Sequence, residues 1–507
     1  LYGTHCKEAE MLVLILLAQT PQVLWSNVTS GGVYCTVDMG DINGDDISDV
    51  VCGVNFWDEE PTLWALSGSD GSAVWTSDAH NGIYSDEGMV RFPDVNGDGI
   101  HELLMATPGG YNPPGRTLRL VSGADGSLVW EWAACQVMPA YTGWGYSCAE
   151  LPDVNGDGVS EAVGGFGTSG SSGSGLAVCV DGATGDSIWT RWQPDAVSSL
   201  ALLADVDGDE LEDVLAAVGG NGYTTLTAML LSGATGETLW QNSPGGDCMS
   251  VAAVDRTDTF PWAVFCTFNG LVVCYDAGGS FQWSYTGSGM FLEVTGGPDL
   301  NGDGISEVAL AADDGGVVCL SGSDGSVIWS YPSGANTWSV AWVDPVLIQG
   351  DEVPCVAAGA VNGRAVTLVN ALTGQPVWQM AFDERVYNVS TAGLSYPSPV
   401  VVAGLQDQQS TPEHAWALAS STELQVSGAG PAVPPRWLNP SSGLLVLALP
   451  HQSAVEAMVF DLTGRIVLSG NVPPGNRTMA GELRPGCYLV RTETADGIHL
   501  EKVTVIR

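Results

Sequence analysis

Five nine-residue segments place side-chain oxygens at alternate positions: DINGDDISD from Asp41, DVNGDGIHE from Asp94, DVNGDGVSE from Asp153, DVDGDELED from Asp205 and DLNGDGISE from Asp299. Oxygens fall at positions 1, 3, 5 and 9, with a backbone carbonyl available at position 7. A hard cation such as Ca²⁺ takes six to eight oxygens at about 2.3–2.6 Å, and alternate residues of a tight turn can aim them at one point. The ligands so predicted are Asp41, Asn43, Asp45, the Ile47 carbonyl and Asp49 in the first loop, and Asp94, Asn96, Asp98, Ile100 and Glu102 in the second. The third offers Asp153, Asn155, Asp157, Val159 and Glu161, and the fourth Asp205, Asp207, Asp209, Leu211 and Asp213. The last offers Asp299, Asn301, Asp303, Ile305 and Glu307. Position 4 is Gly throughout, whereas position 6 is Gly in three loops and Asp46 or Glu210 in the others, which predicts either backbone strain or a different turn in those two loops.

A helix-flanked EF-hand is excluded, because its twelfth position would be Cys52, Met105 or Gly164 rather than an acid. One such segment alone reads as a solvated Asp/Asn/Gly turn; five in register argue for bound calcium, at up to five sites of the weak affinity of extracellular modules, about 10⁻⁴ to 10⁻³ M. The charge balance agrees. Of 58 acids and 15 bases, residues 21–430 hold 50 acids, seven arginines and no lysine. Self-repulsion on that scale disfavours a compact fold unless cations neutralise it, and it excludes nucleic acid as a partner. We therefore expect the metal to be structural, since catalytic metal needs an open coordination position beside a distinct acid or base.

The loops alternate with a second element, a Gly-containing turn followed by an apolar strand closing on Trp. It appears as SGSDGSAVW at Trp75, SGADGSLVW at Trp130, DGATGDSIW at Trp189, SGATGETLW at Trp240, DAGGSFQW at Trp283, SGSDGSVIW at Trp329 and NALTGQPVW at Trp378. Each acidic loop is followed by an apolar run such as DVVCGV or ELLMAT, and degenerate loop counterparts lie near Asp255 and Asp344. Four strands per period of 43 to 59 residues predict an all-β β-propeller. Val23–Trp25 reads as the last strand of a blade whose other strands lie between Val386 and Ser420. Joining the two closes an eight-bladed ring; seven blades is the alternative if TELQVS from Thr422 is only a tail or Val23–Trp25 leaves with the leader. That leader, residues 1–20, holds the apolar run Met11–Ala18, too short to span a bilayer and read as a signal-peptide core. No other segment reaches transmembrane length.

The acidic loops resemble those of FG-GAP (VCBS-like) propeller repeats, and the Trp hairpins resemble the PQQ-like, quinoprotein-type repeat, together over about residues 21–425 of a propeller domain placed at 21–427. A Pro/Gly linker, 428–436, precedes a segment, 437–507, that resembles a type IX secretion (Por) sorting domain. The matching residues are Asn439-Pro440, LLVLALP, VFDLTGRIV, LRPGCYLVRTETADG and EKVTVIR. The resemblance implies a small antiparallel β-sandwich that engages the type IX secretion machinery, and a protein secreted from, or held on the surface of, a Gram-negative bacterium.

The remaining chemistry is sparse. Cys52, Cys266 and Cys355 recur at one strand position and Cys179, Cys274 and Cys319 at another, as small buried residues do; Cys135 and Cys148 are the pair placed to close a disulfide. The six His residues lie in no nucleophile motif, and the body lacks a lysine for Schiff-base chemistry. Connections opposite the acidic loops are expected to carry Trp57, Glu59, Tyr84, Tyr111, Arg116, Tyr141, Trp144 and Tyr146, a set suited to sugar or peptide binding. The reading is a cell-surface binding or adhesion module for an extracellular glycan or protein, with no catalytic or cofactor-binding residues assigned. The alternatives are an extracellular polysaccharide-active enzyme and a quinone-dependent oxidoreductase.

Overall fold

The computed structural model describes residue 19 and residues 21–420 except 56–60, 79–81, 110–114, 138–142, 169–173, 220–226, 258, 333–335, 349–350, 394–398 and 407–413; beyond 420 it describes only the backbone of six strands. The leader apart from residue 19, the linker residues 428–435, Trp57, Glu59, Tyr111 and Tyr141 lie outside the described residues.

Residues 21–420 form one compact unit of eight four-stranded antiparallel sheets. Blades 1 to 7 each run in chain order, with inner strands Val33–Gly40, Met89–Phe92, Gly143–Leu151, Val197–Leu203, Cys248–Val254, Phe291–Gly296 and Thr337–Ile348. Blade 8 takes three strands, Arg385–Ala392, Val400–Gln406 and Ala415–Ser420, from the end of the ring and its outermost, Pro21–Asn27, from the beginning. The ring is thus closed by chain ends far apart in sequence, which pairs an edge strand that would otherwise be open.

Burial explains the apolar runs. The second strands Asp49–Val54, Glu102–Thr107 and Asp213–Val218 are buried at every position because each blade packs a neighbour on both faces. The cores lie between blades: Phe92, Leu104 and Leu118 of blade 2 pack with Phe166, Leu176 and Val178 of blade 3. Outermost strands, such as Ala73–Ser77, are largely open.

The recurring Trp residues fasten each blade to the next. Trp25 Nε1 donates to the Gly68 carbonyl at 3.0 Å, Trp75 to Gly123 at 2.7 Å, Trp130 to Gly182 at 2.7 Å and Trp189 to Gly233 at 2.8 Å. Trp240 donates to Ala277, Trp283 to Gly322 and Trp329 to Ala371, and Trp378 completes the circuit on Ser420 Oγ in blade 8. Beneath these rings a side chain has no room. A Cβ on Gly71 would stand 2.8 Å from the Trp25 ring, and its φ of +73° also calls for glycine.

Two expectations need correction. Cys135 and Cys148 are both free; Cys148 is buried in the core between blades 2 and 3, its Sγ directed to the Leu104 carbonyl, while Cys135 sits in a short 3₁₀ turn. The counterpart near Asp344 is not a loop: blade 7 continues as a long hairpin, and Asp344 falls at its bulge between Val343 and Val346. Near Asp255 the acids give way to Arg256, whose guanidinium lies 4.3 Å from the Trp262 ring centre. The six recurring cysteines are fully buried.

Residues beyond 420 belong to a second unit. Its strands Val455–Asp461, Ile466–Val472, Gly486–Thr494 and Gly497–Val505 form one antiparallel sheet, and Arg436–Leu438 pairs with Val446–Ala448. Among the described residues no helix is long and apolar enough to cross a membrane.

Candidate functional site

All five acidic loops connect the inner strand of a blade to its second strand, in blades 1, 2, 3, 4 and 6. Each is knotted in the same way. The first-position carboxylate collects backbone N–H groups: Asp41 Oδ1 accepts from Gly44 at 2.7 Å and Oδ2 from Asp46 at 2.8 Å, and Asp205 accepts from Gly208 at 2.6 Å and Glu210 at 2.8 Å. These donors favour the ionised form, so the Asp94, Asp153, Asp205 and Asp299 carboxyls lie below the usual range, led by the N–H of Gly99, Gly158, Gly208 and Gly304 respectively. The third-position oxygens of Asn96, Asn155 and Asn301 accept from the fifth-position N–H. Fifth-position Asp45, Asp98, Asp157, Asp209 and Asp303 accept from Ile47, Ile100, Val159, Leu211 and Ile305 at 2.8–3.0 Å.

In the fourth loop the third position is Asp207 instead of Asn, and oxygens of Asp205, Asp207 and Asp209 all lie within 4.8 Å of one another. That exposed triad is a possible metal site.

The ninth-position acids do something the sequence did not reveal. Asp49, Glu102, Glu161, Asp213 and Glu307 are fully buried and tie the loop to the blade. Asp49 accepts from Ile42 and Asn43 in its own loop and from Gly68 at the Trp turn. Asp213 likewise accepts from Val206 and from Gly233. The acidic loops and Trp turns therefore share one face of the ring, which puts the other connections on the opposite face. Burial pushes Glu102, Glu161 and Glu307 up to about 7 and Asp213 to about 6. Glu161 Oε1 is buried and lacks a hydrogen-bond partner. An orphaned carboxylate oxygen beside carboxylate and amide oxygens fits a hard cation, which would restore the ionised form.

The opposite face has its own regularity. In seven of the eight inner strands the register shifts near the start, a β-bulge that sets one extra residue out of the ladder: Tyr34, Tyr146, Ser198, Met249, Leu292, Trp338 and Tyr387. Bulges re-aim side chains, and here four of the seven are aromatic. Tyr387 stacks on Tyr34 at 4.6 Å and meets Trp338 edge-on at 4.9 Å, linking blades 7, 8 and 1. Across blades 2 and 3, Tyr84 stacks on Trp144 at 4.3 Å and meets Tyr146 at 5.7 Å. Trp338 is exposed, and Tyr34, Tyr84, Trp144 and Tyr387 are half-buried. Arg116, expected on this face, is instead buried and donates to the Gly167 carbonyl.

In blades 4, 5, 6 and 7 the residue after the bulge bridges to the next blade. Ser199 Oγ accepts from Val251 N, Ser250 Oγ from Val294 N, Glu293 Oε2 from Val340 N at 2.7 Å and Ser339 Oγ from Val389 N. Blade 2 breaks the pattern. Glu87, just before its inner strand, accepts from Ser250 Oγ at 3.0 Å. Blades 2 and 5 are three apart, so this bond crosses the axis.

Residues 262–381 match the family model of the lambda-carrageenase β-propeller domain. Solved structures match over most of the ring. The quinohemoprotein alcohol dehydrogenase of Comamonas testosteroni is 11% identical with a TM-score of 0.52, covering 84% of this chain and 79% of that one. Its counterpart ADHIIG from Pseudomonas putida is 11% identical with a TM-score of 0.53, covering 83% and 80%. Sqt1 of Saccharomyces cerevisiae is 11% identical with a TM-score of 0.56, covering 79% and 99%. At such identities the likeness is one of fold. No curated protein sequence matches the chain.

Proposed function

We propose that this chain is an exported, calcium-stabilised β-propeller that binds a glycan, without catalysis, on the face opposite its acidic loops. The observation that carries this reading is the two aromatic sets on that face, Tyr34–Tyr387–Trp338 and Tyr84–Trp144–Tyr146. Aromatic faces stack on the apolar faces of sugar rings. The match to a lambda-carrageenase propeller supports a polysaccharide as the ligand class. Calcium at the five acidic loops would offset the ring's negative charge, and the C-terminal segment would carry the protein through the type IX machinery to the cell surface.

The same match also favours a second reading, a polysaccharide-active enzyme. A glycan array followed by calorimetry on the full chain, with Trp144→Ala and Trp338→Ala, tests the first. Binding that both substitutions weaken, with no new reducing or unsaturated ends, is the expected result; product formation would establish the second, and no glycan bound would overturn both.

A further inference from the structure

Three carboxylates meet at the axis of the ring: Asp86 and Glu87 from blade 2 and Glu293 from blade 6. Glu87 spans the channel to Ser250 on blade 5 and also takes N–H and hydroxyl bonds from Leu200 and Ser199 on blade 4. By the pattern of the other blades, Leu200 N is the donor that Ser147 on blade 3 would meet. Glu87 takes that donor, and the fully buried Ser147 Oγ has no partner. Glu87 keeps part of its surface open to the channel, yet its Oε2 is buried and also unpartnered. Glu293 is held by Val340 N, next to Ser250, whose Oγ bonds both Glu87 and Val294 N.

Among the described residues none of the three carboxylates has a basic partner. Each lies above its usual range, burial first and mutual repulsion second for Glu87 and Glu293; Asp86 is raised by burial alone. With no base among the described residues beside them, and with Glu87 Oε2 unpartnered, these oxygens can take a positively charged donor from outside the chain. Among the described residues the three acids whose oxygens lie within 4.8 Å of one another are Asp205, Asp207 and Asp209 of the fourth loop; the axial oxygens are not gathered to that distance. A larger cation fits them better.

An aromatic group lies close in the chain to Glu87. Tyr84 lies three residues before Glu87, stacked on Trp144, and Glu87's carbonyl accepts from Cys148 N two residues beyond Tyr146. Aromatic faces above buried carboxylates attract a desolvated organic cation through ring quadrupole and charge together. We infer that the ligand carries a protonated primary amine, as in a glucosamine oligosaccharide with free amino groups, and that the ammonium group enters the axis between Glu87 and Glu293 while its sugar rings rest on Tyr84 and Trp144. This rests on the glycan reading above and adds the charge of the ligand to it.

Calorimetry at fixed calcium and ~0.15 M salt tests it, with short glucosamine oligosaccharides, their N-acetylated counterparts and neutral glucose oligomers. The free-amine form should bind about tenfold tighter or more than the other two. Glu87→Gln and Glu293→Gln should each remove that preference, while Glu237→Gln, which deletes an equal charge at an exposed turn, should leave it intact. Both axial variants keep an acceptor for their hydrogen bonds, and a melting curve for each confirms folding. Equal binding of acetylated and free-amine forms that Trp144→Ala weakens would overturn the ammonium assignment and leave the glycan reading standing. Glu87-dependent binding of a lysine-rich peptide with no saccharide bound would overturn the saccharide source and that reading with it. No binding by any probe overturns both.

Discussion

Asp49 and Gly68 join the acidic loop of blade 1 to its Trp turn: the Gly68 N–H donates to Asp49 Oδ1 at 2.9 Å. The Gly68 carbonyl in turn accepts from Trp25 on blade 8. One buried carboxylate thus stands between a metal-type loop and the contact that closes the ring. Asp49→Ala leaves the N–H groups of Ile42 and Gly68 without their acceptor. It should cost roughly 2–4 kcal/mol, since a buried unsatisfied donor costs about 1–3 kcal/mol. The midpoint of urea unfolding measures this, and an unchanged midpoint would remove the structural role given to the ninth position.

Trp25 separates the indole hydrogen bond from ring packing. Trp25→Phe keeps most of the apolar burial but loses the donor to Gly68, which should cost on the order of 1 kcal/mol. Trp25→Ala empties a site beside Gly71 and should cost about 3–5 kcal/mol. It should also free Pro21–Asn27 from Ala415–Ser420, exposing an edge that promotes association, visible by light scattering. Equal effects of the two substitutions would show that ring packing adds nothing to the hydrogen bond, and an unchanged stability in Trp25→Phe would show that the hydrogen bond does not matter.

Calcium should raise the thermal midpoint and a chelator should lower it. Each site adds RT ln(1 + [L]/Kd), about 1.4 kcal/mol at tenfold excess over Kd, so several sites produce a shift of degrees. Asp209→Ala removes one member of the triad in the fourth loop and should lower the calcium stoichiometry by one. A melt indifferent to calcium would leave the ring's negative charge without this account.

The loops and the ring were legible in the sequence because both repeat. Seven Trp turns and five acidic loops in alternation fix four strands per period, and the unmatched strand around Trp25 fixes the closure with Ala415–Ser420. The axial site was not legible, because Glu87 and Glu293 are departures from a pattern that only the inner-strand register reveals. Ser199, Ser250 and Ser339 are unremarkable serines until their bulges align them around one axis. Likewise the ninth-position acids read as ligands equal to the rest, since their burial beneath the Trp turn comes from packing between strands far apart in the period.

The axial acids also set a pH dependence. Burial pushes Glu87 up to about 8 and Asp86 to about 6 in the folded protein, above their ordinary values. For an acid raised in this way, the stabilising neutral form is fully present below the unfolded value and its contribution is lost as pH rises through the folded value. Stability in chelator should therefore fall between about pH 4 and pH 8, with a slope near 1.4 kcal/mol per pH unit for each titrating group. The buried loop acids Glu102, Glu161 and Glu307 add to the fall with the same sign. Glu87→Gln cannot ionise, so its melting temperature should exceed that of the unsubstituted protein at pH 9 and match it near pH 4. The reverse order at pH 9 would mean that the ionised carboxylate is favoured at the axis.

Position 6 of the acidic loops offers a gain in stability. Asp46 and Glu210 hold φ of 65° and 72°, the left-handed region in which Gly99, Gly158 and Gly304 occupy the equivalent place. A side chain there costs roughly 1–2 kcal/mol against glycine, while glycine returns about 0.4–1 kcal/mol of that through its freer unfolded chain. Glu210→Gly should therefore stabilise the fourth loop by about 0.5–1 kcal/mol. It also removes one exposed charge beside the Asp205–Asp209 triad, so the two contributions must be separated. Glu210→Gln keeps the strain and removes the charge; Glu210→Asn relieves part of the strain, since Asn visits this region more readily. The order of melting temperatures in chelator should run Gly above Asn above Gln. Gln equal to Gly would assign the gain to charge and clear the backbone of strain.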